Sequence, residues 1–126
     1  MTSKDPITCH VLDTLTGRPA ANIEISLSCL SNSTAIEIFS ARTDSDGRVT
    51  NWNAVGHTAS VADILDSLEA DSSPSTWKLT VATGKYYGEG KTFWPQVDLS
   101  FYVKHGEHYH VPLLLGPYSY TTYRGS

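Results

Sequence analysis

The stretch Asn22-Ile-Glu-Ile-Ser-Leu-Ser-Cys29 decides the fold class. Ile23, Ile25, Leu27 and Cys29 point one way, and Asn22, Glu24, Ser26 and Ser28 point the other. Alternation with a period of two is the mark of a strand that is buried on one face and solvated on the other. The same pattern returns near the end of the chain. Val97, Leu99, Phe101 and Val103 alternate with Asp98, Ser100, Tyr102 and Lys104. Tyr109, Val111, Leu113 and Leu115 then share a face, which puts His108, His110 and Pro112 on the opposite one.

Shorter runs fill the gaps between these strands. Residues 7–13, 35–42, 77–82 and 118–124 read as strands, and Arg48-Val-Thr50 as a short strand leading away from its turn. The breaks between runs are rich in turn residues: Thr14-Leu-Thr-Gly-Arg-Pro19, Ser31-Asn-Ser33, Asp44-Ser-Asp-Gly47 and Gly116-Pro117. Seven or eight short strands separated by such breaks argue for an all-β fold, an antiparallel sandwich.

Residues 51–75 depart from the pattern. Val61, Ile64, Leu65 and Leu68 are spaced i, i+3, i+4, i+7, and Ser60 with Asp63 forms a capping box. This predicts a short amphipathic helix, followed by a loop at Asp71-Ser-Ser-Pro-Ser75. Residues 85–90 have no decided form.

Composition narrows the function. The chain has 126 residues and a net charge of −4, with 17% charged and 10% aromatic residues. One domain, residues 1–126, is the expectation for this length. Neither nucleic acid nor an anionic membrane is an expected partner, since both call for a basic excess. No apolar run approaches the roughly 18 residues of a membrane span. The opening Met-Thr-Ser-Lys-Asp-Pro6 lacks an apolar secretory segment, and Cys9 and Cys29 are expected as free thiols.

Chemistry-bearing residues gather late in the chain. His108-Tyr-His110 places two imidazoles on one strand face, with His105 close by. Three roles fit: surface histidines without function, a zinc pair completed by a ligand from elsewhere, or catalytic imidazoles that take a proton from water and return it. No Cys or carboxylate stands where it would complete an obvious tetrahedral set. Asp44-Ser-Asp-Gly47 begins like a calcium loop, but Val55 occupies the twelfth position where a carboxylate belongs, so it reads as a turn with Arg48 behind it. No Ser–His–Asp set is evident, which disfavours a covalent intermediate.

Three stretches together resemble a known family. They are residues 7–23, beginning Ile7-Thr-Cys-His10; Thr43-Asp-Ser-Asp-Gly-Arg48; and residues 109–126, ending Tyr123-Arg-Gly-Ser126. The resemblance is to the 5-hydroxyisourate hydrolases, the catalytic relatives of transthyretin in urate degradation, and it runs over nearly the whole chain. The terminal Tyr-Arg-Gly-Ser is its specific part, because the hormone carriers of the family end differently. The resemblance implies a transthyretin-like sandwich of two four-stranded antiparallel sheets with one or two short helices. It makes residues 51–75 an insertion. It also implies a homotetramer, a dimer of dimers with active sites at the dimer–dimer interface. The reaction would convert 5-hydroxyisourate to 2-oxo-4-hydroxy-4-carboxy-5-ureidoimidazoline without a cofactor or metal. His10, Arg48 and His110 would be catalytic, the histidines handling the water and Arg48 the developing negative charge. Tyr123, Arg124, Gly125 and Ser126 would bind substrate, with Arg124 also able to position the Ser126 carboxylate against an imidazole. His108 would be structural or peripheral, and His57 and His105 would lie in loops. Two alternatives stay open: a carrier without turnover, and a zinc hydrolase built on His108 and His110. Cytoplasm is the expected compartment, or the peroxisome by a route other than a C-terminal Ser-Lys-Leu signal.

Overall fold

The computed structural model describes residues 4–30, 37–68 and 73–125. Its elements run β1 (Ile7–Asp13), β2 (Arg18–Pro19), β3 (Glu24–Cys29), β4 (Glu37–Arg42), β5 (Arg48–Val49), β6 (Asn53–Ala54), α1 (Val61–Ser67), β7 (Ser75–Val81), α2 (Thr83–Tyr87), β8 (Val97–Val103), β9 (Tyr109–Leu115) and β10 (Tyr120–Thr122). They form two sheets. One runs β10-β9-β1-β2 with β5 also paired to β1, and the other runs β6-β4-β3-β7-β8. No helix among the described residues is long and apolar enough to cross a membrane.

The two-sheet sandwich is the one the alternation predicts, with two differences of detail. Each sheet has five segments rather than four, because two-residue strands are added at the margins. And one pairing is parallel: β1 lies beside β9 from Ile7↔Tyr109 to Asp13↔Leu115. Alternation within a strand fixes which face is buried but carries no information on strand direction, so this pairing was not readable from either segment alone.

The core is the inward set of both sheets. Ile7, Cys9 and Val11 from β1 and Leu113 and Leu115 from β9 meet Ile25, Leu27, Phe39, Trp77 and Leu79 from the opposite sheet, all buried. Burial pushes the Cys9 thiol up to about 12, so it is a packing group and not a nucleophile. Trp77 is buried with its indole N–H donating to Ser75 Oγ at 2.9 Å, so its polar edge is satisfied.

The helix at 61–67 forms as the spacing predicts. Ser60 caps it by accepting from the Asp63 amide, the Asp63 carboxylate accepts from the Ser60 amide, and Val61 and Leu65 are buried. The undecided segment at 85–90 begins inside a second helix, α2, at whose end Tyr86 and Tyr87 turn inward. Both phenols donate to the Asp13 carboxylate, at 2.8 and 2.9 Å, and the Leu15 amide donates to the same group at 2.9 Å. Burial, with the Asp13 charge behind it, pushes the Tyr86 phenol up to about 12 and raises Tyr87 as well. Asp13 sits on the inward face of β1 at 3% exposure, and it is tolerated there because these three donors replace its hydration. The turn expected at residues 31–33 and the first two residues of the loop expected at 71–75 fall outside the described residues, and Ser75, the last residue of that loop, is the first of β7.

Replacing Asp13 with Ala should remove about 2–4 kcal/mol of stability, since it strips two buried phenols of their acceptor. Urea denaturation of the variant against the parent measures it, and a loss below about 0.5 kcal/mol would show that the cluster is not a structural tie.

Candidate active site

The parallel pairing of β1 with β9 assembles the outward-facing site. It sets Thr8 opposite His110 and His10 opposite Pro112, so the even-numbered residues of both strands share the outer face of the sheet. Thr8 Oγ1 lies 2.8 Å from His110 Nδ1. This contact orients the imidazole and leaves Nε2 as its other polar atom. The rings of His10 and His110 are 6.5 Å apart between centroids and inclined by 28°.

Arg48 arrives from the other side of β1. Asp44 builds the turn that delivers it: its carboxylate accepts from the amides of Asp46 at 2.9 Å and Arg48 at 3.0 Å, and its carbonyl accepts from the Gly47 amide at 2.9 Å. Gly47 takes φ +76°, and a Cβ there would stand 2.4 Å from the Val11 carbonyl oxygen, so no other residue fits the close approach to β1. The two-residue strand that follows does not lead away, as the sequence reading had it. It turns back onto β1 and pairs Arg48 with His10. A turn signal names the reversal but not the strand that receives it.

The tail closes the third side. Gly125 forms a bridge with His110, its amide donating to the His110 carbonyl at 2.9 Å. A Cβ on Gly125 would lie 2.8 Å from His110 Cδ2 and 3.1 Å from Pro112 Cγ, so only glycine brings the backbone down onto the imidazole. His10, Arg48, His110 and Gly125 are therefore brought together. Of these four, Arg124 shares a cleft with His110 alone. Its guanidinium stacks over the Tyr109 ring at 4.4 Å and reaches Glu107 Oε1 at 3.5 Å. With Tyr123 it lines a separate cleft of about 770 Å³ between β8 and β9, to which His110 also contributes. Ser126 lies outside the described residues.

A hollow of about 140 Å³ at the imidazoles is lined by Lys4, Thr8, Cys9, Arg48, Thr50, His108 and His110. The 770 Å³ cleft is larger and carries both the partly buried apolar residues Leu99, Phe101 and Val111 and the charged residues Asp98, Lys104, Glu107 and Arg124, whereas Arg48 and His108 line the small hollow at His110 and not the cleft. The sequence reading missed Thr8 and Lys4. Thr8 carries a signal only once β9 is known to lie beside it, and Lys4 precedes the first strand. His108, expected to be structural or peripheral, lines the hollow. His105 instead reaches α1, with Nε2 2.7 Å from Asp66 Oδ1, and His57 packs edge-on against Phe39. Among the described residues, no three His, Cys, Asp or Glu side chains converge to hold a metal.

Burial lowers the pKa of His110, and the positive charges of His10, Arg48, His108 and Lys4 lower it further. The neutral imidazole is thus favoured, which is the form able to accept a proton.

The profile of the HIUase/transthyretin family matches residues 7–125. The chain belongs to the HIUase/transthyretin family. One family member, the "Probable 5-hydroxyisourate hydrolase" of Schizosaccharomyces pombe, is 38% identical over 125 residues, covering 95% of this chain and 90% of the relative. In a longer member, the uric acid degradation bifunctional protein TTL of Arabidopsis thaliana, an equally identical match of 132 residues spans only 38% of the relative. Among solved structures, a Klebsiella pneumoniae 5-hydroxyisourate hydrolase superposes with a TM-score of 0.67 at 25% identity, covering 95% of this chain and 98% of that one. A sea bream transthyretin in complex with thyroxine reaches 0.72 at 21% identity, covering 96% and 95%, and shows the shared fold alone.

Arg48→Ala should raise the pKa of His110, because it removes one of the positive charges that disfavour the imidazolium. Titration of the imidazole carbon-bound protons by NMR measures the shift, and an unmoved or lowered value would place the guanidinium away from the ring.

Proposed function

We propose that this protein hydrolyses 5-hydroxyisourate in urate degradation, opening a ring amide with water that the two imidazoles hold. The observation that carries the reading is the convergence of His10, His110 and Arg48 on one outward face, with the Gly125 backbone laid across His110. A carrier of the same fold has no use for a depressed imidazole beside an arginine, since ligand channels are lined mainly by apolar groups.

The roles follow from geometry and protonation. His110 acts as the base: for Nε2 to accept a proton, Nδ1 must carry the ring hydrogen and donate it to Thr8 Oγ1, 2.8 Å away. Near-parallel rings 6.5 Å apart leave room for a water bound to both at about 2.8 Å. His10 is then the orienting partner. As the water attacks the carbonyl carbon, charge moves to the carbonyl oxygen, and the planar donors of Arg48 offset it. The imidazolium formed on His110 returns its proton to the departing ring nitrogen. No cofactor enters any of these steps.

The hollow's 140 Å³ is below the roughly 300–1,000 Å³ usual for a ligand pocket, so a second copy completes it. We infer a homotetramer in which the outer faces bearing His10 and His110 oppose each other. The β8 and β10 edges, each paired on one side only, would join the copies within each dimer.

The decisive assay follows the absorbance of freshly generated 5-hydroxyisourate with and without the protein, in parallel with a strong chelator. Acceleration that survives the chelator is expected, and Arg48→Ala should lower kcat/KM by about 10²–10³-fold while leaving the assembly unchanged. Decay at the spontaneous rate from folded tetramer would overturn the hydrolase, and loss of activity to the chelator would restore the zinc alternative.

Wild-type mass by light scattering tests the assembly. A monomer at micromolar concentration would remove the two-sided pocket.

A further inference from the structure

We propose that Lys4 and His108 are substrate-recognition residues, and that the group they hold is an anionic oxygen on the rim of the substrate ring. This rests on the hydrolase reading and assigns the charge state of what that site takes.

The hollow that contains His110 is lined by Lys4, Arg48 and His108, with Thr8, Thr50 and Cys9, and by no carboxylate. In a chain of net charge −4, a wall whose charged side chains are Lys4 and Arg48, with imidazoles and hydroxyls beside them, inverts the local sign. The acids of the adjoining hollow are already taken, and the Asp5 carboxylate next to Lys4 accepts from the Trp52 amide. Lys4 and His108 also line the adjoining hollow, whose carboxylates are Asp66 and Glu107. Asp66 is engaged by His105 at 2.7 Å, and Glu107 accepts from the Tyr109 phenol at 3.2 Å and from Arg124 at 3.5 Å. Among the described residues, Lys4 and His108 have no ion pair of their own. The unneutralised Lys4 ammonium and the Arg48 guanidinium, with the His108 imidazole as a further N–H donor, favour an anionic ligand.

Both residues are held in place although they flank strands. The Asp5 amide donates to the Thr50 carbonyl at 2.8 Å, and the Asp5 carboxylate accepts from the Trp52 amide at 2.7 Å, which ties the backbone next to Lys4 to the segment after β5. The Tyr109 amide donates to the Pro6 carbonyl at 2.7 Å, which fixes the residue after His108 to the same stretch. Lys4 and His108 thus stand on two anchored segments at the end of the β1–β9 pair, across the hollow from Arg48. Arg48 faces the reacting carbonyl in the proposed chemistry. The other pair meets the substrate edge and contributes equally to ground and transition states.

The test measures steady-state kinetics of Lys4→Met and His108→Asn at low ionic strength. Each should raise KM by about fivefold with kcat within about twofold, the signature of uniform binding, and Lys4→Arg should restore KM. Raising salt should raise KM of the parent more than that of either variant. Binding of urate, a monoanion at neutral pH, measured by calorimetry, reads the same wall without turnover and should weaken in both variants. Unchanged KM and unchanged urate affinity in both folded variants would overturn the proposal, as would a fall in kcat with constant KM. A parent that fails to accelerate the decay yet binds urate through these two residues would remove the hydrolase and keep the anion wall.

Discussion

Everything in the site depends on β1 lying parallel to β9. The pairing runs from Ile7↔Tyr109 to Asp13↔Leu115, and one register sets Thr8 against His110, His10 beside Pro112, and the inward residues of both strands into the core. Because side chains alternate with a period of two, a slip of one residue would drive His110 inward and Leu113 out to water. The apolar core therefore enforces the geometry of the outer polar face. Ile7, Val11, Leu113 and Leu115, all buried, hold the register that the polar face uses.

Around this pair the chain adds each further group by a local device. The Asx turn at Asp44 and the close approach at Gly47 deliver Arg48 to the free flank of β1. The reversal at Gly116, whose amide donates to the Ser119 carbonyl at 2.8 Å, sends β10 back along β9, and Gly125 then comes down on His110. Asp13, at the far end of β1, accepts from Tyr86 and Tyr87 and so ties α2 to the same strand. The site has few loop residues of its own. Its His10, Arg48 and His110 are strand positions whose neighbours are fixed by hydrogen bonds, which suits the proposed hydrolysis, in which water and base must be held to within a fraction of an ångström.

Much of this was legible in the sequence, and the limits have physical causes. The alternation in residues 22–29, 97–103 and 109–115 gave the strands and their buried faces, because period two is a local property. The capping box at Ser60 and Asp63 gave α1 for the same reason. Strand direction and partner are not local, so the parallel β1–β9 pair and the return of β5 to β1 appeared only in three dimensions. That is why Thr8 was missed: a threonine in a strand has no distinguishing mark until its cross-strand neighbour is a histidine. His10, Arg48 and His110 were named through family resemblance and not by spacing, since each alone reads as an ordinary surface residue. Arg124 was grouped with them by its place in the terminal motif, but Glu107 and the Tyr109 ring hold its guanidinium at the other cleft.

The Thr8–His110 contact joins residues 102 positions apart. Contacts this distant in sequence pay loop-closure entropy before they are rewarded, and they slow folding relative to local structure. The hairpin of β3 and β4 and the helix α1 can form early from neighbouring residues, but the reactive face exists only after the first strand has found one of the last. During synthesis β1 must wait for β9 with its apolar face unpaired. Half-folded chains of this protein are thus catalytically silent and sticky at the same strand, and recovery of activity after denaturation registers the completion of folding, not its onset.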